Sequence, residues 1–151
     1  MGLISDLLRT NSDVALTIIR LVLGIVFFAH GAQKVFGWFG GYGFAATLKS
    51  FKEQMGIPVP FATLAIAAEF LGGIGLIFGL LGRIAALGIA AIMLVAILKV
   101  NGRFGLFLDW FGNQKGHGIE FHLLALAISV AIILDGSGPF SLDALLSGTN
   151  L

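Results

Sequence analysis

The sequence predicts an all-α integral membrane protein, a four-helix bundle with an amphipathic interfacial helix between its first and second spans. Of the 151 residues, 58% are hydrophobic and 11% charged, and the mean hydropathy is +1.01. That is more apolar surface, and less than half the charge, of an ordinary soluble domain. Four apolar runs, at about 14–36, 61–81, 84–100 and 119–134, are long enough with their flanks to cross a hydrocarbon core. The stretch between the first two runs cannot span but has the pattern of a helix lying in the membrane surface. One bundle of this size leaves no residues for a second domain, so 1–151 reads as a single unit.

The formal net charge of +1 lacks the clustered Lys and Arg that phosphate binding requires, which argues against a nucleic-acid partner. The chain has no cysteine, so disulfides, thiol chemistry and cysteine-ligated metal centres are excluded. Any redox chemistry must reside in a bound cofactor or a partner.

The head, MGLISDLLRTNSD, places Ile4, Leu7 and Leu8 at helical spacing, and Asn11, Ser12 and Asp13 are candidates to cap the next helix. A cleaved signal peptide is the competing reading, disfavoured because Arg20 interrupts the apolar run and no small-residue cleavage pattern precedes His30. The first span, built around the run from Ile18 to Phe39, carries Arg20, His30, Gln33 and Lys34. Ionisable groups at membrane depth are costly and usually turned inward, toward partners or water. On a helical projection Arg20, Gly24, Phe27, Gly31 and Lys34 share one face, with His30 about 40° from Lys34.

In GGYGFAATLKSFKEQMGIPVP, Phe44, Leu48, Phe51 and Met55 recur at helical spacing opposite Lys49, Lys52 and Glu53, before Gly56, Pro58 and Pro60 end the helix. This helix reads as a connector or as a lid over a pocket. The second span contains Glu69 and is followed by Gly72, Gly73, Gly75, Gly79 and Gly82. Gly75 and Gly79 read as close-packing positions, while Gly72 and Gly73, one turn deeper than Glu69, either admit a neighbouring helix or leave room for a flat ring. Arg83 marks the turn into a nearly uniform third span ending at Lys99 and Asn101. The segment GRFGLFLDWFGNQKGHG is glycine-rich and aromatic, with Trp110 suited to the interface. The fourth span opens with Glu120 and His122, and the tail begins at Asp135.

Antiparallel spans let depth be read from position, at about 1.5 Å per residue. Taking the face where the chain begins as the start side, His30, Lys34, Glu69, Lys99, Asn101, Glu120 and His122 converge toward the far side, with Glu69 about 12 Å below it. Arg20, Arg83 and Asp135 gather toward the start side as a structural ionic cluster, in which Asp135 is expected to pair with an arginine. Lys99, Arg83 and Lys34 are candidates for simple snorkelling. Glu69 and His30 are too deep for that. A structural Lys34–Glu69 salt bridge and a polar pocket formed by His30, Lys34, Glu69, Asn101, Glu120 and His122 both fit the pattern. A paired-histidine haem site from His30 and His122 is conceivable; a dicarboxylate metal site at Glu69 and Glu120 lacks an ExxH pair, and no metal is expected.

Six of the nine basic residues, Lys34, Lys49, Lys52, Lys99, Arg103 and Lys115, lie toward the far side, against Arg9, Arg20 and Arg83. By the positive-inside rule the far side is cytoplasmic and both termini lie outside.

In this order the residues resemble the DoxX family of small bacterial membrane proteins. The resemblance rests on R-L-x-L-G and H-G-x-x-K in the first span (Arg20–Gly24, His30–Lys34), E-x-x-G-G and G-x-x-x-R in the second (Glu69–Gly73, Gly79–Arg83), and N-G after the third (Asn101, Gly102). It continues with G-x-E opening the fourth (Gly118, Glu120) and D-G-x-G-x-x-S-L-D at the end (Asp135–Asp143). The resemblance implies a bacterial inner-membrane protein tied to quinone-linked or redox-accessory functions; relatives include a subunit of a thiosulfate:quinone oxidoreductase. The absence of cysteine departs from thiol-linked relatives.

Three functions are compatible with these residues. One is a membrane subunit of a quinone-linked oxidoreductase, in which Glu69, His30 and Glu120 hydrogen-bond a quinone head group while the apolar bundle holds its tail. Another is a module that binds or transports a lipophilic small molecule without transforming it. The third is an anchor that recruits a soluble redox enzyme or a second copy of the chain.

Overall fold

A computed structural model of the chain describes residues 2–148, which form helices and no strand among the described residues. A short α1 (Leu3–Leu8) leads into α2 (Val14–Phe36), whose first turn is capped by Asp13, its carboxylate accepting from the Ala15 amide at 2.8 Å. The cap satisfies an amide that has no partner within the helix. Helix α2 ends at Gly37, which adopts the left-handed conformation at φ 75° that a residue with a side chain resists.

The surface helix is present as α3 (Phe44–Met55), ended by left-handed Gly56. Helix α4 (Val59–Phe78) begins two residues earlier than the hydropathy suggests, because Pro60 sits in the first turn, where no backbone donor is needed. It stops at Phe78 because Gly79 turns left-handed at φ 62°. Helix α5 (Gly82–Ala96) continues through a wider turn at Ile97–Asn101 and a tight one at Gly102–Phe104. Helix α6 (Glu120–Asp135) and the short α7 (Leu142–Ser147) complete the chain.

Among the described residues three helices are long and apolar enough to cross a membrane: Val14–Phe36, Val59–Phe78 and Gly82–Phe104. Helix α6 is apolar but shorter, at 16 residues. Helix α2 packs on α4, α4 on α5, α5 on α6, and α6 returns to α2. Leu23, Phe27, Leu76, Ile89, Met93 and Ile132 are central to the shared core.

The closest approach is between α2 and α4. A methyl group added at Gly31 would lie 2.5 Å from the Phe70 Cα, and one at Gly73 would lie 2.4 Å from the Phe28 amide nitrogen. Both separations are below contact distance, so only glycine admits the neighbouring backbone. Gly73 therefore accommodates a helix and not a flat ring. Gly72 faces Ala85 and Ile89 of α5 at ordinary contact distance. Gly79, read from sequence as a helix-packing position, is instead the left-handed end of α4, tight against Ser141 and the Arg20 guanidinium.

Candidate functional site

Polar side chains fall into two groups at opposite ends of the molecule. At the start side, Arg20 is 1% exposed yet has no carboxylate in salt-bridge contact. Its Nε donates to the Ser137 carbonyl at 2.7 Å, Nη2 to Phe140 at 2.7 Å, and Nη1 to Ile77 at 2.9 Å and to Leu76. Leu76 and Ile77 belong to the last turn of α4, whose dipole favours a cation; the Leu76 carbonyl also accepts from the Gly79 amide at 3.2 Å. Arg83 acts in the same way: it donates to the Arg9 carbonyl at 3.0 Å, to Leu134 at 2.9 Å and to Ile133.

The acid of this cluster is Asp143, not Asp135. Asp143 is 1% exposed and accepts from the Leu81 amide at 2.7 Å, the Gly82 amide at 2.9 Å and the Ser137 hydroxyl at 2.6 Å. It thereby holds the first amides of α5 and steadies Leu81, a non-glycine residue at φ 51°. Asp135 is exposed, and its backbone carbonyl, not its carboxylate, receives the Asn11 amide at 2.8 Å. The expected Asp135–arginine pair fails because helix-end carbonyls already occupy both guanidinium groups.

At the far side, Lys34 of α2 and Glu69 of α4 form an ion pair, the sole salt bridge among the described residues. Glu69 is 5% exposed. The pair lines a cavity of about 660 Å³ that also receives His30, Asn101, His117 and His122. The remaining lining is largely apolar: Phe27, Phe121 and Met93 toward the core, and Phe51, Met55 and Ile57 from α3 and its exit. This volume is within the range that holds one drug-sized ligand. Helix α3 thus covers the cavity as well as connecting two spans.

His30 lies against aromatic rings, 6.3 Å from Phe27 and 6.0 Å from Phe121 between centroids. His122 is 9% exposed, and its Nδ1 is buried with no hydrogen-bond partner. A buried polar atom without a partner costs roughly 1–3 kcal/mol, and the His122 ring that carries it also lines the cavity.

The structure brings together five of the six site residues expected from sequence: His30, Lys34, Glu69, Asn101 and His122. Glu120 is not among the lining residues. Its carboxylate accepts from Trp110 Nε1 at 3.2 Å. His117 was missed. It sits in the aromatic loop, where its Nδ1 accepts from the Asp109 amide at 3.1 Å and its carbonyl from Asn101 Nδ2 at 2.8 Å. Loop residues obey no period, so only its closeness to the Gly118-x-Glu120 fragment could have signalled it.

Apolar helices around a cavity lined by an ion pair and three histidines define a helical membrane protein with room inside for a small molecule. The chain belongs to the DoxX family, whose profile matches residues 15–102. It is similar to inner membrane protein YqjF of Escherichia coli (strain K12), being 30% identical over 140 residues that cover 93% of this chain and 98% of that one. It is also similar to CatD of Bacillus subtilis (strain 168), a protein provisionally named an oxidoreductase, with 30% identity over 136 residues covering 90% of each chain. No solved structure matches it significantly.

Proposed function

We propose that this chain is a membrane subunit of, or accessory to, a quinone-linked oxidoreductase, and that its cavity binds the head group of a quinone-like lipophilic molecule. The observation that carries the reading is one largely apolar cavity lined by the Lys34–Glu69 pair and by His30, His117 and His122. A quinone ring suits a chamber with largely apolar lining, and its carbonyl oxygens accept from the Lys34 ammonium or a histidine N–H. Phe27 and Phe121, 6.2 Å apart and stacked, provide aromatic surface for such a ring. A bound quinone supplies reversible two-electron, two-proton chemistry; the chain's part is to hold the ring, exclude water and place Glu69 and the histidines where protons are exchanged. The oxidoreductase name of CatD supports the redox setting, and the name of YqjF supports an inner-membrane location.

In this reading α6 is the fourth membrane span, its 16 residues extended by the flanks to complete a four-helix bundle. Both termini lie outside the cytoplasm, as the six far-side basic residues require. A C-terminal reporter active only in the cytoplasm should stay silent.

The test of the site is Glu69→Gln. In that variant Lys34 loses its counter-charge, and affinity for a tailed benzoquinone, measured by titration of the purified protein in lipid nanodiscs, should fall by about 1–3 kcal/mol while the protein still folds. Equal affinity would move the assignment to a purely structural ion pair. Binding without turnover in the presence of an electron donor would favour a non-catalytic binding module or an anchor for a redox enzyme.

A further inference from the structure

The cavity has a side opening, and the opening constrains what can enter. Helices α4 and α5 run antiparallel and touch at depth: a methyl group placed at Gly88 would sit 3.4 Å from the Ala68 Cβ. The same register sets Ile92 opposite Leu64 and Val95 opposite Phe61, one and two turns nearer the far side. Leu64 and Phe61 are each 64% exposed and Val95 is 46% exposed, although all three line the cavity, and Ala91 beside them is exposed too. These positions belong to two helices that are long and apolar enough to cross a membrane, so their exposed apolar side chains face hydrocarbon and not water. Toward the far-side water, the aromatic loop contributes Leu108 and His117 to the lining, and Phe51 and Met55 of α3 add cover.

We infer that the cavity is loaded sideways from the bilayer, between α4 and α5, and that its substrate class is an amphiphile with a flat polar head and an isoprenoid or alkyl tail that stays in the lipid. The inference rests on the quinone-like reading of the cavity and adds the route and the tail. A chamber of about 660 Å³ takes one ring and a short chain, so a tail of membrane-quinone length has nowhere to lie except through the opening. In this inference the tail lies in the lipid and not in the bundle interior. The head travels inward to the Lys34–Glu69 pair and to His122, whose buried Nδ1 has no partner among the described residues. Partition into the bilayer concentrates such a ligand at the opening, as burial of its chain in hydrocarbon favours it over water.

The experiment places a bulky side chain at the opening without touching the head-group residues. Ala91→Phe is the variant, because Ala91 is already exposed and a larger residue there need not disturb the core; Leu94→Phe, on an exposed face of the same helix outside the cavity, is the control. Two probes are titrated in lipid nanodiscs: a benzoquinone carrying a decyl tail and the same ring without a tail. Affinity of Ala91→Phe for the tailed probe should fall about tenfold, the scale of overfilling a fitted space. Affinity for the tail-less ring, and both affinities in Leu94→Phe, should change less than about twofold on the same scale. Equal losses for both probes, or no loss for the tailed one, would overturn the lateral route while leaving the head-group site intact. Failure of both probes to bind the unaltered protein would instead overturn the quinone-like reading, and this inference with it.

Discussion

The two ends of this protein treat buried charge in opposite ways. At the start side, Arg20 and Asp143 are each 1% exposed and bound chiefly to backbone: Arg20 to four carbonyls, Asp143 to two amides and a hydroxyl. At the far side, Lys34 and Glu69 are bound to each other and border a cavity, with the unpartnered His122 nearby. A charge consumed by helix-end groups has no capacity left for a ligand. A charge paired across a cavity keeps donors and acceptors that a ligand can use. Charge at membrane depth is thus a pointer to function only after the backbone has taken its share.

The largest effect expected from this contrast is at Asp143. Asp143→Ala strands the amides of Leu81 and Gly82 and the Ser137 hydroxyl and should destabilise the protein by about 1–3 kcal/mol for each buried group left unpaired, read as a large drop in thermal midpoint in detergent. A variant that melts with the unaltered protein would erase the distinction between the two ends.

Paired replacements sharpen the comparison. Substituting Lys34→Met together with Glu69→Leu removes both charges of a pair that satisfies only itself. Stability should stay within about 1 kcal/mol or rise, as when a buried ion pair is replaced by apolar residues, while quinone affinity is lost. Arg20→Met with Asp143→Leu should not be neutral, because neither residue is the other's partner and both leave orphaned backbone groups behind. Equal stability losses in the two double variants would show that the far-side pair is as structural as the start-side cluster.

His122→Phe isolates the free nitrogen. It removes a buried atom with no partner, so stability should hold or improve by about 1 kcal/mol, and affinity for the tailed benzoquinone should fall in the same titration. Lost stability with unchanged affinity would make His122 a packing residue.

The smallest effect is expected at Asp135. Its carboxylate is exposed and makes no hydrogen bond or ion pair among the described residues, so Asp135→Asn should shift stability by less than about 0.5 kcal/mol. A substantial loss would restore it to the start-side cluster.

The course of the chain was legible in the residues because hydropathy and period are local properties. The apolar runs located α2, α4, α5 and α6 to within a few residues, and the spacing of Phe44, Phe51 and Met55 gave α3. Depth followed from chain reversal alone, which is why His30, Lys34, Glu69, Asn101 and His122 converge as position along the spans implies. What position does not supply is direction at the helix ends and in the loops. Glu120 has the right depth but turns to Trp110, a partner delivered by a loop without a period. Asp135 and Asp143 both lie in the same terminal motif; the tertiary structure alone decided that Asp143 meets the first amides of α5. That cavity-lining residues Phe61, Leu64, Ala91 and Val95 are also exposed was equally invisible, since it depends on how the helices pack and not on what either is made of. The sequence by itself determined which segments are helices, how deep their charges lie and which family they belong to. The tertiary structure decided which charges the backbone consumes and which remain facing a cavity, because carbonyls and amides at helix ends become available only where other helices bring them.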